Sequence, residues 1–465
     1  MSMSRNALAL AAVILVLNGC GGGGGGDSPR TYAIGASVTG LVGSRLALSN
    51  NGVPVSIAPG LNERMTGLFS GLQNGTSYDV TVATQPTTPS QSCVVTNGKG
   101  TIAGADVDIS VTCTTTPARF LLAQRKFSLP VTELCIKASA IDNTSGTLTA
   151  ASGAPFCGEI RDQGTWGYPV GSMVAHPQGK SLYMRVASFR FGLLSQFTID
   201  RDNGTVSLIQ SHSLIRDGIV AIHPSGQFLF VTSPGFDGVG GFVATDMVDS
   251  ATGALTPSAS SSFNEIEPVD LSADPLGRFV YVLYSEPFSA PSSQRRLITA
   301  LAVDSKTGGL SQVGQPVALD GARWLVTHPS GRFVYTAAGG NIVAFNVNLA
   351  NGALTPISGP PFVAEAYGSA AIDPAGNYMY VLGSGSIFAY GIDRAGGQLA
   401  PINGSPFATG PNPSSVVIEP QGRFIYVSND LGVSAYERDS SNGALTPISG
   451  SPFALAFGGN IAFSY

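Results

Sequence analysis

The sequence predicts an all-β protein in which a small β-sandwich precedes a seven-bladed β-propeller. The first pattern behind this prediction is a turn followed by Gly-x-Leu, as in "NGALTPISGPPF" ending at Phe362 and "NGALTPISGSPF" ending at Phe453. The second is an apolar-x-Pro-x-Gly turn followed by an aromatic and apolar strand, as in "IEPQGRFIYV". The prolines of these turns recur every 45 to 54 residues. Such a period is typical of four-stranded units arranged around an axis.

The composition fits many short strands joined by tight turns. The chain of 465 residues contains 59 glycines and 30 prolines. Only 11% of the residues are charged and the net charge is −5, so we expect no nucleic-acid partner. The sequence contains no phosphate-binding loop, no nucleophile elbow and no metal-binding histidine motif, so we predict no cofactor and no metal.

The N-terminus has the pattern of an export signal. Residues 7–17 form an apolar run too short to span a bilayer. The following "LNGC" resembles the lipobox of bacterial lipoproteins, which implies a signal peptide over residues 1–19, acylation of Cys20 and a glycine-rich tether over residues 20–30. Gly21 resembles signals for delivery to the outer membrane. The alternative is an ordinary signal peptide with an incidental cysteine.

Four cysteines remain after Cys20, an even number in a chain with an export signal. Disulfides persist in exported proteins, so we predict the pairs Cys93–Cys113 and Cys135–Cys157. The alternative is a set of free buried thiols.

Residues 31–116 are predicted to form the sandwich. Apolar and polar residues alternate between Asn-Gly turns, which is typical of antiparallel strands. About seven short strands within such a length indicate an immunoglobulin-like fold. We interpret this domain as a spacer, with binding of a partner through a sheet edge as the alternative.

Residues 117–465 are predicted to form the propeller. The Gly-x-Leu element occurs seven times, with Val206 replacing leucine once, whereas the Pro-x-Gly turn occurs six times. Its glycines are Gly146, Gly204, Gly253, Gly308, Gly352, Gly397 and Gly443. The first unit begins at its second strand, from Arg119. We therefore expect the last residues, "GNIAFSY", to supply its missing first strand and to close the ring.

These units resemble the seven-bladed propellers of the lactonase family, which includes bacterial 6-phosphogluconolactonase and carboxymuconate-cyclising enzymes. The resemblance covers nearly all of residues 117–465. Lactonase-type members have a "PRHxxFHP" motif. At the corresponding places this chain has Gly218 and Ile219 in one unit, and Arg323 and Trp324 in another. The absence of the histidine argues against activity of that kind.

The scarce charged residues cluster in the connections expected at one rim of the ring, around the mouth of the channel. Loops on a rigid scaffold are the usual place for binding residues. The candidate ligand-binding residues are Trp166, Arg216, Asp217, Glu265, Glu267, Arg323, Trp324 and Glu365. The alternative is that these are ordinary solvated loops and that the tryptophans fill the channel.

The histidines are not candidates for the mouth. His176, His223 and His328 belong to the Pro-x-Gly turns and are interpreted as turn residues, and His212 has no recognisable partner.

The sequence thus predicts a lipid-anchored, non-catalytic envelope protein, attached to the outer membrane through Cys20. It would bind a small molecule, a carbohydrate or a protein at the mouth. The alternative is an envelope hydrolase acting on a lactone or sugar derivative, with Glu265, Glu267 or Glu365 as base and Arg216 or Arg323 stabilising the oxyanion.

Overall fold

A computed structural model describes most of the two predicted domains. The described residues are 30–58, 63–87, 90–116, 118–124, 133–159, 172–187, 192–214, 218–233, 241–262, 267–285, 295–357, 362–363, 368–455 and 459–464. They form 39 β-strands and no α-helix. Among them there is no helix with the length and apolar character needed to cross a bilayer. The predicted signal peptide and Cys20 lie outside this set.

The N-terminal domain consists of two four-stranded sheets. Its strands are β1 (Thr31–Thr39), β2 (Ala47–Asn50), β3 (Val53–Ser56), β4 (Arg64–Gln73), β5 (Ser77–Thr84), β6 (Gln91–Thr96), β7 (Lys99–Thr101) and β8 (Val107–Thr115). The sheet orders are β4-β1-β8-β6 and β3-β2-β5-β7. Alternate residues of β1 and β8, such as Ile34, Val38 and Val111, are buried between the sheets.

The described part of the remaining chain forms seven sheets, here called blades 1 to 7, whose strands are named A to D from the first to the fourth. Blade 1 contains β39 (Ile461–Ser464), β9 (Phe120–Gln124), β10 (Glu133–Ile141) and β11 (Leu148–Ala150), with β12 (Phe156–Glu159) also paired to β10. Blade 2 contains β13 (Met173–Ala175), β14 (Ser181–Ala187), β15 (Gly192–Ile199) and β16 (Val206–Leu214). Blade 3 contains β17 (Val220–Ile222), β18 (Phe228–Ser233), β19 (Phe242–Val248) and β20 (Leu255–Ser262).

The other four blades have the same strand order. Blade 4 contains β21 (Glu267–Ala273), β22 (Phe279–Ser285), β23 (Arg296–Val303) and β24 (Leu310–Ala318). Blade 5 contains β25 (Leu325–Thr327), β26 (Phe333–Ala338), β27 (Asn341–Val347), β28 (Leu354–Pro356) and β29 (Phe362–Val363). Blade 6 contains β30 (Ala370–Ile372), β31 (Tyr378–Leu382), β32 (Ser386–Ile392), β33 (Leu399–Pro401) and β34 (Phe407–Ala408). Blade 7 contains β35 (Ser415–Ile418), β36 (Phe424–Asn429), β37 (Gly432–Arg438) and β38 (Leu445–Pro447).

The C-terminal strand closes the ring as the sequence predicts. β39 pairs antiparallel with β9, with Ile461 opposite Ala123 and Ser464 opposite Phe120. Blade 1 is therefore built from one C-terminal strand and N-terminal strands of the same domain. Closure of this kind leaves no open edge on strand B of blade 1.

The Gly-x-Leu elements repeat because each glycine meets the preceding blade. Gly397 has a φ of 72°, which disfavours residues with a Cβ, and a Cβ placed there would lie 2.5 Å from the ring of Phe333. Gly352 meets Phe279 and Gly443 meets Tyr378 in the same way. The first aromatic residue of strand B thus packs on the glycine of the next blade.

A tyrosine hydroxyl reinforces several of these interfaces. Tyr335 Oη donates to the carbonyl oxygen of Gly397 at 2.9 Å, and Tyr380 Oη donates to that of Gly443 at 2.7 Å. Tyr426 Oη donates to that of Gly146 at 2.9 Å, which links blade 7 to blade 1. The near-identical sequences of the repeats reflect these recurring contacts.

Further hydrogen bonds connect Pro-x-Gly turns of neighbouring blades. These turns form one rim of the ring, here called the turn rim. They comprise residues 177–179, 224–226, 275–277, 329–331, 374–376 and 420–422. His328 Nε2 lies 2.9 Å from the carbonyl oxygen of Gly376 in the next blade, and its Nδ1 lies 3.1 Å from the backbone nitrogen of Ser330. His176 and His223 make the corresponding bonds. These three histidines are turn residues, as predicted.

Both predicted disulfides are present. Cys93–Cys113 joins the adjacent strands β6 and β8, and Cys135–Cys157 joins β10 and β12. Each bond therefore connects neighbouring strands within one sheet.

The sandwich contacts the propeller at the turn rim. Arg45 lies in a cavity shared with His223 and Gly277, and burial lowers its pKa. Thr87 lines the end of the central channel, beside the turn prolines. The sandwich thus contacts this rim. The opposite ends of the strands form the second rim, called the loop rim (including 218–219, 267–270, 319–324 and 368–369).

Gly397→Ala should destabilise the protein by about 2–4 kcal/mol, because a positive φ and overpacking against Phe333 both oppose the new methyl group. Gly339→Ala is the matched control, since Gly339 also has a positive φ but no atom within 4 Å of its Cβ position. Denaturant unfolding of both variants measures the difference. Equal losses would contradict the proposed packing role.

The unfolding free energy should fall as the pH is lowered from about 6.5 to 4, partly because of His328. Burial lowers the pKa of His328 to about 4, so over this interval the unfolded chain binds a proton that the folded protein does not. The maximal slope for one such group is about 1.4 kcal/mol per pH unit. His328→Gln, which can still donate to Gly376, should reduce the slope in pH-dependent denaturant titrations. An unchanged slope would refute this assignment.

Candidate functional site

Three of the eight predicted binding residues, Glu267, Arg323 and Trp324, are among the described residues. Trp166, Arg216, Asp217, Glu265 and Glu365 lie outside the described residues. Glu267 and Arg323 are exposed on the rim at blades 4 and 5. The structure therefore places these two residues in adjacent blades.

Trp324 lies inside the protein rather than on the surface of the rim. Its exposed fraction is 7%, and it packs with Phe333, Tyr335 and Met379 in the core between blades 5 and 6. The ring therefore contributes to blade packing and does not line the central channel.

Asp270 is an acidic residue on strand A of blade 4, one of the innermost strands. It lies on β21, four residues before the turn residue Asp274. At the same position in blades 2 and 6, Ser172 and Ser369 accept hydrogen bonds from a backbone N–H of the next blade, Val220 and Val416 respectively. Asp270 does the same, since its Oδ2 accepts from the N–H of Leu325 at 2.6 Å. This position therefore joins neighbouring blades.

The carboxyl group of Asp270 has a raised pKa. Burial raises the pKa of Asp270 to about 6, although the N–H groups of Leu325 and Leu271 stabilise its ionised form and oppose the shift. Each carboxylate oxygen accepts one of these bonds and keeps a further lone pair. Asp270 can therefore exchange a proton near neutral pH and still hold the blades together.

Two guanidinium groups lie near each other on the same part of the rim. Arg296, at the start of β23, donates through Nη1 to the carbonyl oxygen of Ala322, immediately before Arg323. Burial lowers the pKa of Arg296, and the charge of Arg323 lowers it further. Two mutually repelling cations favour an anion between or beside them.

The strand register shows how Glu267 and Arg296 are arranged in blade 4, and the chain shows how far Arg323 lies from Leu325 in blade 5. Glu267 is opposite Ser285, and Ser285 is opposite Arg296 across β21, β22 and β23. Arg323 lies two residues before Leu325, the residue whose N–H binds Asp270, which is about 7 Å of extended chain. Asp270, Arg296 and Arg323 therefore belong to two adjacent blades on the same side of the ring.

The sequence interpretation missed Asp270 and Arg296 among the candidates. Blade 4 reads "PVDLSADP" from Pro268 to Pro275, and Asp270 stands where "PRHxxFHP" has its first histidine. Aligning that motif on all the Pro-x-Gly turns would have found Asp270. Arg296 had no such signal, because its proximity to Arg323 arises from packing between strands.

The described residues contain no group of three or more histidine, cysteine, aspartate or glutamate side chains placed to hold a metal.

The fold is a seven-bladed β-propeller. The sequence model of the family described as "Lactonase, 7-bladed beta-propeller" matches residues 320–455, which contain blades 5 to 7. None of the proteins with a curated function matches the chain.

Several solved structures share the fold. A Bacteroides uniformis protein, provisionally described as a 6-phosphogluconolactonase, is 18% identical with a TM-score of 0.59, covering 75% of this chain and 100% of its own. The periplasmic gluconolactonase of Pseudomonas aeruginosa is 18% identical with a TM-score of 0.55, covering 74% and 99%. A Lactobacillus plantarum protein is 17% identical with a TM-score of 0.56, covering 75% and 100%.

The elevated pKa of Asp270 should be visible as a pH-dependent difference in stability. Because its pKa is about 6 when folded and near 3.9 when unfolded, the folded protein gains stability from protonation as the pH falls from about 7 to 4. Relative to Asp270→Ser, which can retain the bond to Leu325, wild type should gain at most about 3 kcal/mol over this range. Denaturant titrations at each pH measure this difference.

Ser172→Ala is the control, since it removes an equivalent bond between blades without removing a titrating group. A pH-independent difference between wild type and Asp270→Ser would contradict the shifted pKa.

Proposed function

We propose that this protein is an exported hydrolase that opens a lactone at the loop rim of blades 4 and 5. The observation that supports it best is Asp270, a carboxyl group whose pKa is raised to about 6 at the motif position of the lactonase-type propellers. The match to the lactonase family model and the likeness to a gluconolactonase of Pseudomonas aeruginosa favour hydrolysis over non-catalytic binding.

The residues have complementary roles in the proposed reaction. The Asp270 carboxylate takes a proton from water, and the resulting hydroxide attacks the carbonyl carbon of the lactone. Arg296 and Arg323 stabilise the negative charge on the carbonyl oxygen. The ring C–O bond then breaks, and the leaving alkoxide takes the proton from Asp270. The products are a hydroxyl group and a carboxylic acid that ionises beside the two guanidinium groups.

The cellular location is part of the same proposal. Two disulfides are typical of an oxidising compartment. Together with the signal-like residues 1–19, they support export, followed by lipid attachment through Cys20 to the outer membrane. The sandwich would then act as a spacer that leaves the loop rim accessible.

Asp270→Ser should reduce lactone hydrolysis by about 100-fold or more, because a positioned base contributes at least that factor. Proton release from glucono-δ-lactone and δ-valerolactone, each compared with its spontaneous hydrolysis, measures the activity. In wild type the rate should fall by half near pH 6, where Asp270 becomes protonated. Ser172→Ala is the control and should keep the activity.

Failure of wild type to hydrolyse any lactone would refute the proposal and favour a binding protein. Activity that survives in Asp270→Ser with the same pH profile would place the base elsewhere.

A further inference from the structure

The central channel is an apolar cavity of about 490 Å³. Its wall consists mainly of the turn prolines and of the residues before the turns, such as Ala175, Ile222, Ala273, Thr327, Ile372 and Ile418. A volume of this size is within the range of small-molecule sites. The channel is not used by the reaction proposed above.

The channel wall offers few hydrogen-bond partners to a water molecule. A buried water needs two to four polar neighbours, whereas five of the six residues just named have aliphatic side chains. Transfer of an alkyl group from water into such a cavity is favourable. The occupant that fits this wall is therefore apolar.

The two ends of the channel differ in polarity and in access. At the turn rim Thr87 of the sandwich contributes to the wall of the channel. Towards the loop rim, Ser172 directly precedes the lining residue Met173, and Asp270 lies three residues before the lining residue Ala273. Arg296 and Arg323 add positive charge at that rim. An occupant with an apolar body and an acidic or acyl head would match both ends.

We propose that the channel binds the unbranched alkyl tail of an amphiphilic ligand whose acyl head lies at the loop rim. This inference rests on the proposed hydrolysis for the identity of the head group, and it makes the substrate class a lactone with an alkyl tail. The hydroxy-carboxylate product would place its negative charge beside Arg296 and Arg323.

The channel also sets a length for the tail. The lining extends from Met173 on β13 to Pro177 in the following turn, which is at most about 13 Å of extended chain. An extended chain of about ten carbons spans that distance, and a longer chain would meet the sandwich.

Binding of straight-chain alkanoic acids tests the channel without any reaction. The full-length protein with Cys20→Ser, which removes the proposed acylation site and the need for detergent, is titrated calorimetrically with acids of four to fourteen carbons. The affinity should rise about fourfold for each added methylene and level off near ten carbons. An affinity independent of length, or one that rises without levelling off, would overturn the proposal.

A pair of variants locates the site. Ala273→Phe adds a ring to the channel wall and should weaken decanoate binding at least tenfold while leaving butanoate binding unchanged. Ala400→Phe adds the same ring at an exposed position on β33 and should bind as wild type does. Decanoate binding that is unaffected by Ala273→Phe would overturn the proposal. The chain-length series on the wild-type channel tests the proposal even if Ala273→Phe does not fold.

Hydrolysis of δ-valerolactone and δ-decalactone separates the two proposals. Faster turnover of δ-decalactone at low concentration, lost in Ala273→Phe, supports both. Length-dependent decanoate binding without hydrolysis of either lactone would refute the proposed function and leave the channel site standing. Hydrolysis of both lactones without any effect of length would refute the channel site alone.

Discussion

The pairing of β39 with β9 is the contact on which the rest of the propeller depends. Each blade buries its faces against two neighbours, so an open ring would expose two sheet faces. The four residues of β39 prevent this, and Ile461 and Phe463 pack in the core shared by blades 1 and 7. Ser464 also donates to the carbonyl oxygen of Gly179, which joins the closing strand to blade 2. Ring closure therefore couples the ends of the domain to both adjoining interfaces.

The repeats are similar where blades touch and differ where the loop rim begins. Glycine is required at the Gly-x-Leu positions because the backbone has a positive φ and because a side chain of the preceding blade, usually an aromatic ring, occupies the space of a Cβ. Histidine suits the turns because one ring nitrogen accepts from its own turn while the other reaches the next blade. Neither the glycine nor the histidine requirement applies to the position on strand A four residues before the residue that precedes the turn proline. Serine, aspartate and tryptophan all occur at this position. Chemical variety can therefore appear there without loss of the ring.

Asp270 illustrates how a structural position can acquire chemistry. Ser172 and Ser369 perform the same bridging with a neutral hydroxyl group. Replacing hydroxyl by carboxyl keeps the bridge but adds a group whose ionised form is disfavoured by burial, which raises its pKa to about 6. Arg296 and Arg323 belong to the same two blades as that bridge. The charges at the loop rim therefore differ from blade to blade on a nearly symmetric scaffold.

The sequence by itself determined the all-β class, the number of blades, the C-terminal closure and the two disulfide pairs, because all of these follow from repeated local patterns and from cysteine spacing. It also indicated the role of the turn histidines, since their position in the turn is a local property. Only the tertiary structure decided that Trp324 packs between blades, that Arg296 approaches Arg323, and that the sandwich contacts the turn rim. These facts depend on how distant segments pack, and side-chain burial and proximity between blades have no signature in local sequence.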